Sequence, residues 1–154
     1  MIKWRIFLGA ALGAGAVAAS AGADPGTRSE LTAIAGHGAG SVQVAPTAHD
    51  VVGPGTFDVQ GTVNVHDAAA NATFTVLRRV DLNPDGVCTG APWLRLPPPN
   101  APALTTSGGG AGALHFEISR GAPLLDGVSF DVQWRLEGSD GSVLQSDCFT
   151  VTVK

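Results

Sequence analysis

Apolar and polar side chains alternate from Val128 to Glu137. Val128, Phe130, Val132, Trp134 and Leu136 fall on one side of an extended chain, and Ser129, Asp131, Gln133, Arg135 and Glu137 on the other. Alternation of this length predicts a strand with one face in a core and the other in water, so Asp131, Gln133 and Arg135 are expected at solvated positions. Phe57, Val59, Val63 and Val65 share a parity around Gly61, and a glycine in mid-strand predicts a bulge or a close backbone contact. The run Thr73–Asp81 carries Phe74 and Val76 on one side; Arg78 and Val80 share that parity, so the strand is expected to leave the core at its end or to carry a bulge. Leu114, Phe116 and Ile118, and then Phe149, Val151 and Val153, mark two further strands. Shorter runs at Leu31–Ala35, read as an edge strand, and at Val42–Val44 complete the set.

Turn signals separate these runs. They are Gly53-Pro54-Gly55, Asp126-Gly127, a glycine-rich tip at Gly108-Gly109-Gly110 expected to be flexible, and Asp140-Gly141, which favours a type I′ hairpin. Seven or eight short strands at steady spacing, with no amphipathic helix, predict an all-β antiparallel two-sheet sandwich. The stretch 128–137 would be its central strand.

One segment escapes the pattern. Residues 81–106 hold Pro84, Pro92, Pro97-Pro98-Pro99 and Pro102, and three prolines in a row favour extended polyproline II over ladder pairing. Trp93–Leu96 is expected as a brief edge strand within it.

The N-terminus reads as a signal peptide over 1–23. Lys3 and Arg5 precede an apolar run from Ile6 to Ala19, and Ala21-Gly22-Ala23 supplies the small-residue cleavage pattern. The run is short and glycine-rich for a spanning helix of about 20 residues, so no membrane span is expected after cleavage; retention as an anchor is the competing reading. Residues 24–30 are expected to form a loose tail and 31–154 the domain. Losing Lys3 and Arg5 takes the net charge from −4 to −6. An acidic chain so poor in lysine has no electrostatic footprint for nucleic acid. Export and an even cysteine count favour a Cys88–Cys148 disulfide. A metal site would need close ligand spacing such as Cys-x-x-Cys, which the chain lacks.

With the order Cys88, Trp134, Cys148 among these alternating runs, the chain resembles small exported bacterial sandwich domains of the immunoglobulin and fibronectin-III-like kind. It departs from the immunoglobulin spacing, because Trp134 stands only fourteen residues before the second cysteine. The resemblance implies an architecture and no activity.

Three features carry candidate chemistry. Asp81, Asn83 and Asp85 followed by Gly86 match the opening of a calcium loop, with oxygen ligands at alternate positions. The twelfth position is Pro92 rather than a bidentate glutamate, so an ordinary Asn-Pro-Asp-Gly turn is the competing reading. Trp93 and Arg95 place an aromatic ring and a cation on a loop, a pairing suited to stacking on sugar or docking a peptide; alternatively, Trp93 covers an open end of the sandwich, held there by Cys88. The histidines His37, His49, His66 and His115 are scattered, and only His66-Asp67 forms a base–carboxylate pair in sequence.

These observations point to an exported non-catalytic binding or adhesion module. Its partner would be a protein or carbohydrate at the cell surface, its cofactor none or calcium, and its working loops those around Trp93 and glycines 108–112. A structural or accessory subunit of an envelope assembly is the alternative, and a small hydrolase built on His66 and Asp67 the more distant one. Mass spectrometry of the exported protein is expected to give a chain beginning at Asp24; an intact Met1 terminus would instead show a retained anchor.

Overall fold

In the computed structural model of the chain, residues 26–49, 56–96, 103–121 and 127–154 are described, with 48, 49, 56, 57, 120 and 121 described by their backbone alone. The expected leader, the expected turn at Gly53-Pro54-Gly55, Pro97–Pro99, Pro102 and Asp126 lie outside the described residues. Every regular element is a strand: β1 (Thr27–Ala35), β2 (Ala39–His49), β3 (Thr56–His66), β4 (Thr73–Asp81), β5 (Leu94–Arg95), β6 (Leu104–Thr105), β7 (Gly112–Gly121), β8 (Ser129–Gly138), β9 (Val143–Ser146) and β10 (Phe149–Thr152).

All ten join one curled antiparallel sheet, a half-barrel, in the order β5-β4-β8-β9-β1-β2-β3-β7, with β10 on β8 and β6 on β4. The fold is all-β with one disulfide, as expected, and its ladder is continuous from end to end. The sheet begins earlier than the alternation suggested. Thr27, Arg28, Ser29 and Glu30, expected in a tail, pair with Val44, Gln43, Val42 and Ser41. Ladder hydrogen bonds need no apolar side chain, so a polar stretch can extend a strand that apolar residues anchor further on. Nor is β1 an edge, since it lies between β9 and β2.

Curling brings distant strands together over a single core. Leu31, Val42, Val63, Phe74, Leu136 and Leu144 are among its fully buried members. Phe116 of β7 meets Trp134 of β8 across it, with ring centroids 5.1 Å apart and planes tilted by 38°. Gly61 makes this contact possible. The β3 register runs straight through it, Gly61 opposite Val44 on one side and Phe116 on the other, so there is no bulge. A Cβ there would stand 2.2 Å from Phe116 Cζ and 2.7 Å from the Gln43 carbonyl oxygen. The mid-strand glycine is the seat over which the phenyl ring lies.

Strand β4 stays against the core to its end. Arg78 pairs with Trp134 on the inward parity and is buried, so the strand neither leaves the core nor bulges there. The β8–β9 connection also differs from the type I′ turn expected. Gly141 N donates to Gly138 O at 3.0 Å and Gly138 N to Ser142 O at 2.8 Å. Gly141 has a positive φ of 86° while Asp140 does not. That is a three-residue loop closed by a glycine bulge. The Ser142 hydroxyl and backbone amide hold the Asp140 carboxyl below its ordinary value, and this local contribution to stability is lost as the pH falls below the carboxylate range.

The edge of β8 away from β4 is shared by two strands in succession. Arg135, Leu136 and Glu137 pair with Gln145, Leu144 and Val143 of β9. Ser129 to Val132 pair with Thr152 to Phe149 of β10. Gln133 and Trp134 therefore stand opposite three residues, Ser146, Asp147 and Cys148. One extra residue switches the parity, as in a bulge: Leu144 and Ser146 point inward before it, Phe149 and Val151 after it, and Cys148 is turned to the outer face. The Ser146 side chain repairs the ladder, its Oγ accepting from Trp134 N at 2.9 Å and donating to Asp147 O at 2.7 Å.

Gly61→Ala is expected to destabilise the fold by about 1–3 kcal/mol through overpacking, and Trp134→Ala by about 3–5 kcal/mol through the cavity it leaves. Urea unfolding followed by circular dichroism measures both; a neutral Gly61→Ala would show that the ring is not seated on the glycine.

Candidate functional site

Most outward residues of β8 are withdrawn from solvent, Glu137 excepted. Asp131 is 0% exposed and Gln133 7%, and the Arg135 side chain is 29% exposed. What covers them is the irregular stretch after β4. From Asp81 the chain crosses the outer face of the sheet, is tied by Cys88 to Cys148, and returns as β5 on the far edge of β4. The disulfide spans 60 residues, with the two Cα atoms 5.7 Å apart, and closing a loop of that length is worth about 4 kcal/mol in the chain-entropy model.

A polar layer fills the space beneath this cover. Gly86 N donates to Asp131 Oδ2, and Thr150 Oγ1 donates to Asp131 Oδ1. Gln133 Nε2 donates to Ser146 O at 2.7 Å, and Gln133 Oε1 accepts from Arg79 Nε at 2.8 Å and from Arg79 Nη2. The carboxylate and the amide are thus satisfied, as burial requires.

Trp93 lies on the outer face rather than over an open end of the sheet. Arg79 Cζ stands 4.7 Å from its ring centroid and Arg135 Cζ 5.7 Å, both within cation–π range. Arg95, its expected partner, is exposed and donates through Nη2 to Thr75 Oγ1 at 3.1 Å. Register explains the grouping. Leu77 is opposite Arg95 on one side and Arg135 on the other, while Arg79 is opposite Gln133. Paired residues point to the same face, so Arg95, Leu77 and Arg135 form one row with Arg79 in the next.

Along this face Asp81 pairs with Asp131, Arg79 with Gln133 in the next row, Leu77 with Arg95 and Arg135 in the row after, and Thr75 with Glu137 at the far end. The three arginines thus lie between two acidic rows, with Glu137 Oε1 3.3 Å from Arg135 Nε. Asp81, Asn83 and Asp85 serve their own loop. Asn83 N donates to Asp81 Oδ1 at 3.0 Å, Val87 N to Asp85 Oδ1 at 2.9 Å, and Asn83 Nδ2 to Asp85 Oδ2 at 2.7 Å. These are Asx turns, the conformation their composition favours by itself. Among the described residues no three His, Cys, Asp or Glu side chains converge as metal ligands.

The other candidate features lie elsewhere. His66 Nδ1 and Asp67 Oδ2 are 2.8 Å apart at the exit of β3, both exposed, with Asp67 at φ 54°. His115 Nδ1 sits 2.8 Å from Thr62 Oγ1 and 3.1 Å from Gly61 O. The side chain of His49 lies outside the described residues. The glycine tip is anchored at its flanks: Ala68 N donates to Gly110 O and Asn71 N to Ser107 O, each at 3.2 Å, and a Cβ on Gly110 would stand 2.2 Å from Ala68 O, whereas Gly108 and Gly109 are exposed.

The Cys88–Cys148 disulfide forms as expected; Trp93 and Arg95 were singled out from the sequence, whereas Arg79, Asp131, Gln133 and Arg135, which the structure groups with Trp93, were not. A signal for the missing four is present. The inward parity at Leu144 and that at Phe149 disagree, so one residue is extra near Cys148 and the disulfide faces outward, onto the polar side of β8. No protein-family model matches the chain, and no curated protein is similar to it.

Removing the Asp131 carboxylate strands one amide and one hydroxyl. Asp131→Ala is expected to cost about 3 kcal/mol in urea unfolding, and Asp131→Asn less, because its amide oxygen still accepts from Gly86 N. Equal costs for the two would contradict this assignment. Calorimetric titration with millimolar Ca²⁺ is expected to give no heat, since the loop oxygens already serve as acceptors; a saturable heat lost in Asp85→Asn would restore the calcium reading.

Proposed function

We propose that the chain is an exported, non-catalytic binding or adhesion module acting at the cell surface or in the extracellular space. In this proposal the curled sheet is a variant of the two-layer packing of immunoglobulin- and fibronectin-III-like sandwiches, and the leader delivers it. The disulfide suits an oxidising, extracytoplasmic compartment. The observation that carries the reading is the half-exposed Trp93, fixed over Arg79 and Arg135 with Arg95 beside it, on a segment stapled to the sheet. A ring held in this way loses little freedom on binding, which favours affinity. The ligand is a carbohydrate or protein of the cell surface.

A second reading, an accessory subunit of an envelope assembly, is favoured by β7. Among the described residues its ladder partner is β3 alone, and a groove of about 400 Å³ lined by Gln60, His115, Phe116 and Glu117 runs beside it. Cross-links from an envelope partner mapping to 113–119 would support that reading over the first.

Titration of the protein with cell-surface polysaccharide fractions is expected to change its tryptophan fluorescence, and Trp93→Phe is expected to abolish the change. A flat response, or one that survives Trp93→Phe, would remove the carbohydrate version of the proposal.

A further inference from the structure

The chain spends its few cations unevenly. Of nine Lys and Arg residues in an acidic sequence, two lie against the Trp93 ring and a third, Arg95, stands two positions along on the same face. Neighbouring strands are about 4.8 Å apart, so the register that sets Leu77 between Arg95 and Arg135 places those two backbone positions about 10 Å from each other. Leu77 gives an apolar floor between them, and Trp93 gives a flat wall. Arg79 is committed to Gln133, and Arg135 stands beside Glu137 and against the indole. Arg95 holds Thr75 through one nitrogen and is otherwise exposed. A guanidinium offers five donors in a planar fork that matches a carboxylate.

Resting on the reading of this face as a binding surface, we infer that its ligand is an acidic saccharide, a sugar ring that stacks on Trp93 and places its carboxylate on Arg95, with Arg135 adding to the field. Trp93 is half-buried and Arg95 exposed on the outside of the sheet, a position that one unit of a long polymer can reach. Two cations already lie against the indole, and these disfavour a cationic ligand and favour an anionic one.

The test is affinity electrophoresis of the purified chain through polygalacturonate, neutral dextran and dextran sulfate, at about 50 and about 500 mM salt. Polygalacturonate is expected to retard the protein, less so at high salt. Arg95→Gln is expected to weaken that retardation about ten-fold or more with an unchanged melting temperature, since the side chain is exposed. Trp93→Phe provides a second variant that keeps a ring in place. Retardation by polygalacturonate that Arg95→Gln does not alter would overturn the inference, as would preference for dextran sulfate or no retardation by any of the three. Retardation by dextran alone, lost in Trp93→Phe, would also overturn it while leaving the binding surface itself standing.

Discussion

Strand β8 is taken out of water on its inner face and, at Asp131 and Gln133, on its outer face too, and the rest of the molecule follows from how that outer face is satisfied. The inner face needs only apolar neighbours, which the curled sheet supplies. The outer face carries a carboxylate, an amide and a guanidinium, and none of these is buried cheaply without partners. Gly86 and Thr150 supply them to Asp131, and Ser146 and Arg79 to Gln133, while Arg135 lies part-exposed beside Glu137 and against Trp93. Two of the four come from the β9–β10 edge, one from β4 and one from the covering segment. The cover is therefore bound into the hydrogen bonding of the central strand, and the Cys88–Cys148 bond fixes it at the bulge where β9 gives way to β10.

That dependence explains what could be read from the chain beforehand. Alternation along 128–137 identified the strand and its core residues; expected as the central strand, it is an interior strand third from the β5 end. It reports that two faces differ in polarity, but a polar face covered by other polar groups has the same pattern as one covered by water. Asp131, Gln133 and Arg135 were therefore read as solvated. Trp93 was paired with Arg95 because they are neighbours in sequence, whereas its stacking partners are set by strand pairing, which local spacing does not encode. Gly61 was recognised as a site of close approach, and the ring that approaches it comes from a strand fifty-five positions later. The Asp140-Gly141 turn was located correctly and given the wrong type, because loop length depends on where the ladder stops.

The same arrangement bears on function. A loop left mobile would lose its freedom on binding, and an aromatic ring on it would gain little net affinity. Here the cost is met during folding, by the disulfide and the polar layer. Arg79 and Arg135 are placed to hold the indole. In the proposed binding reading Arg95, exposed, is the cation that meets the ligand, and structural and recognition roles are divided among three arginines on one face.

The account stands on the claim that residues 82–96 form a separate cover, held on β8 by the disulfide. Hydrogen exchange of the native protein, with Cys88–Cys148 intact and then reduced, tests this directly. Reduction is predicted to release protection at Gly86, Val87 and the amides around Trp93, while the amides of β2, β3 and β7 keep theirs. Protection unchanged at Gly86, or lost across the whole sheet at once, would contradict it.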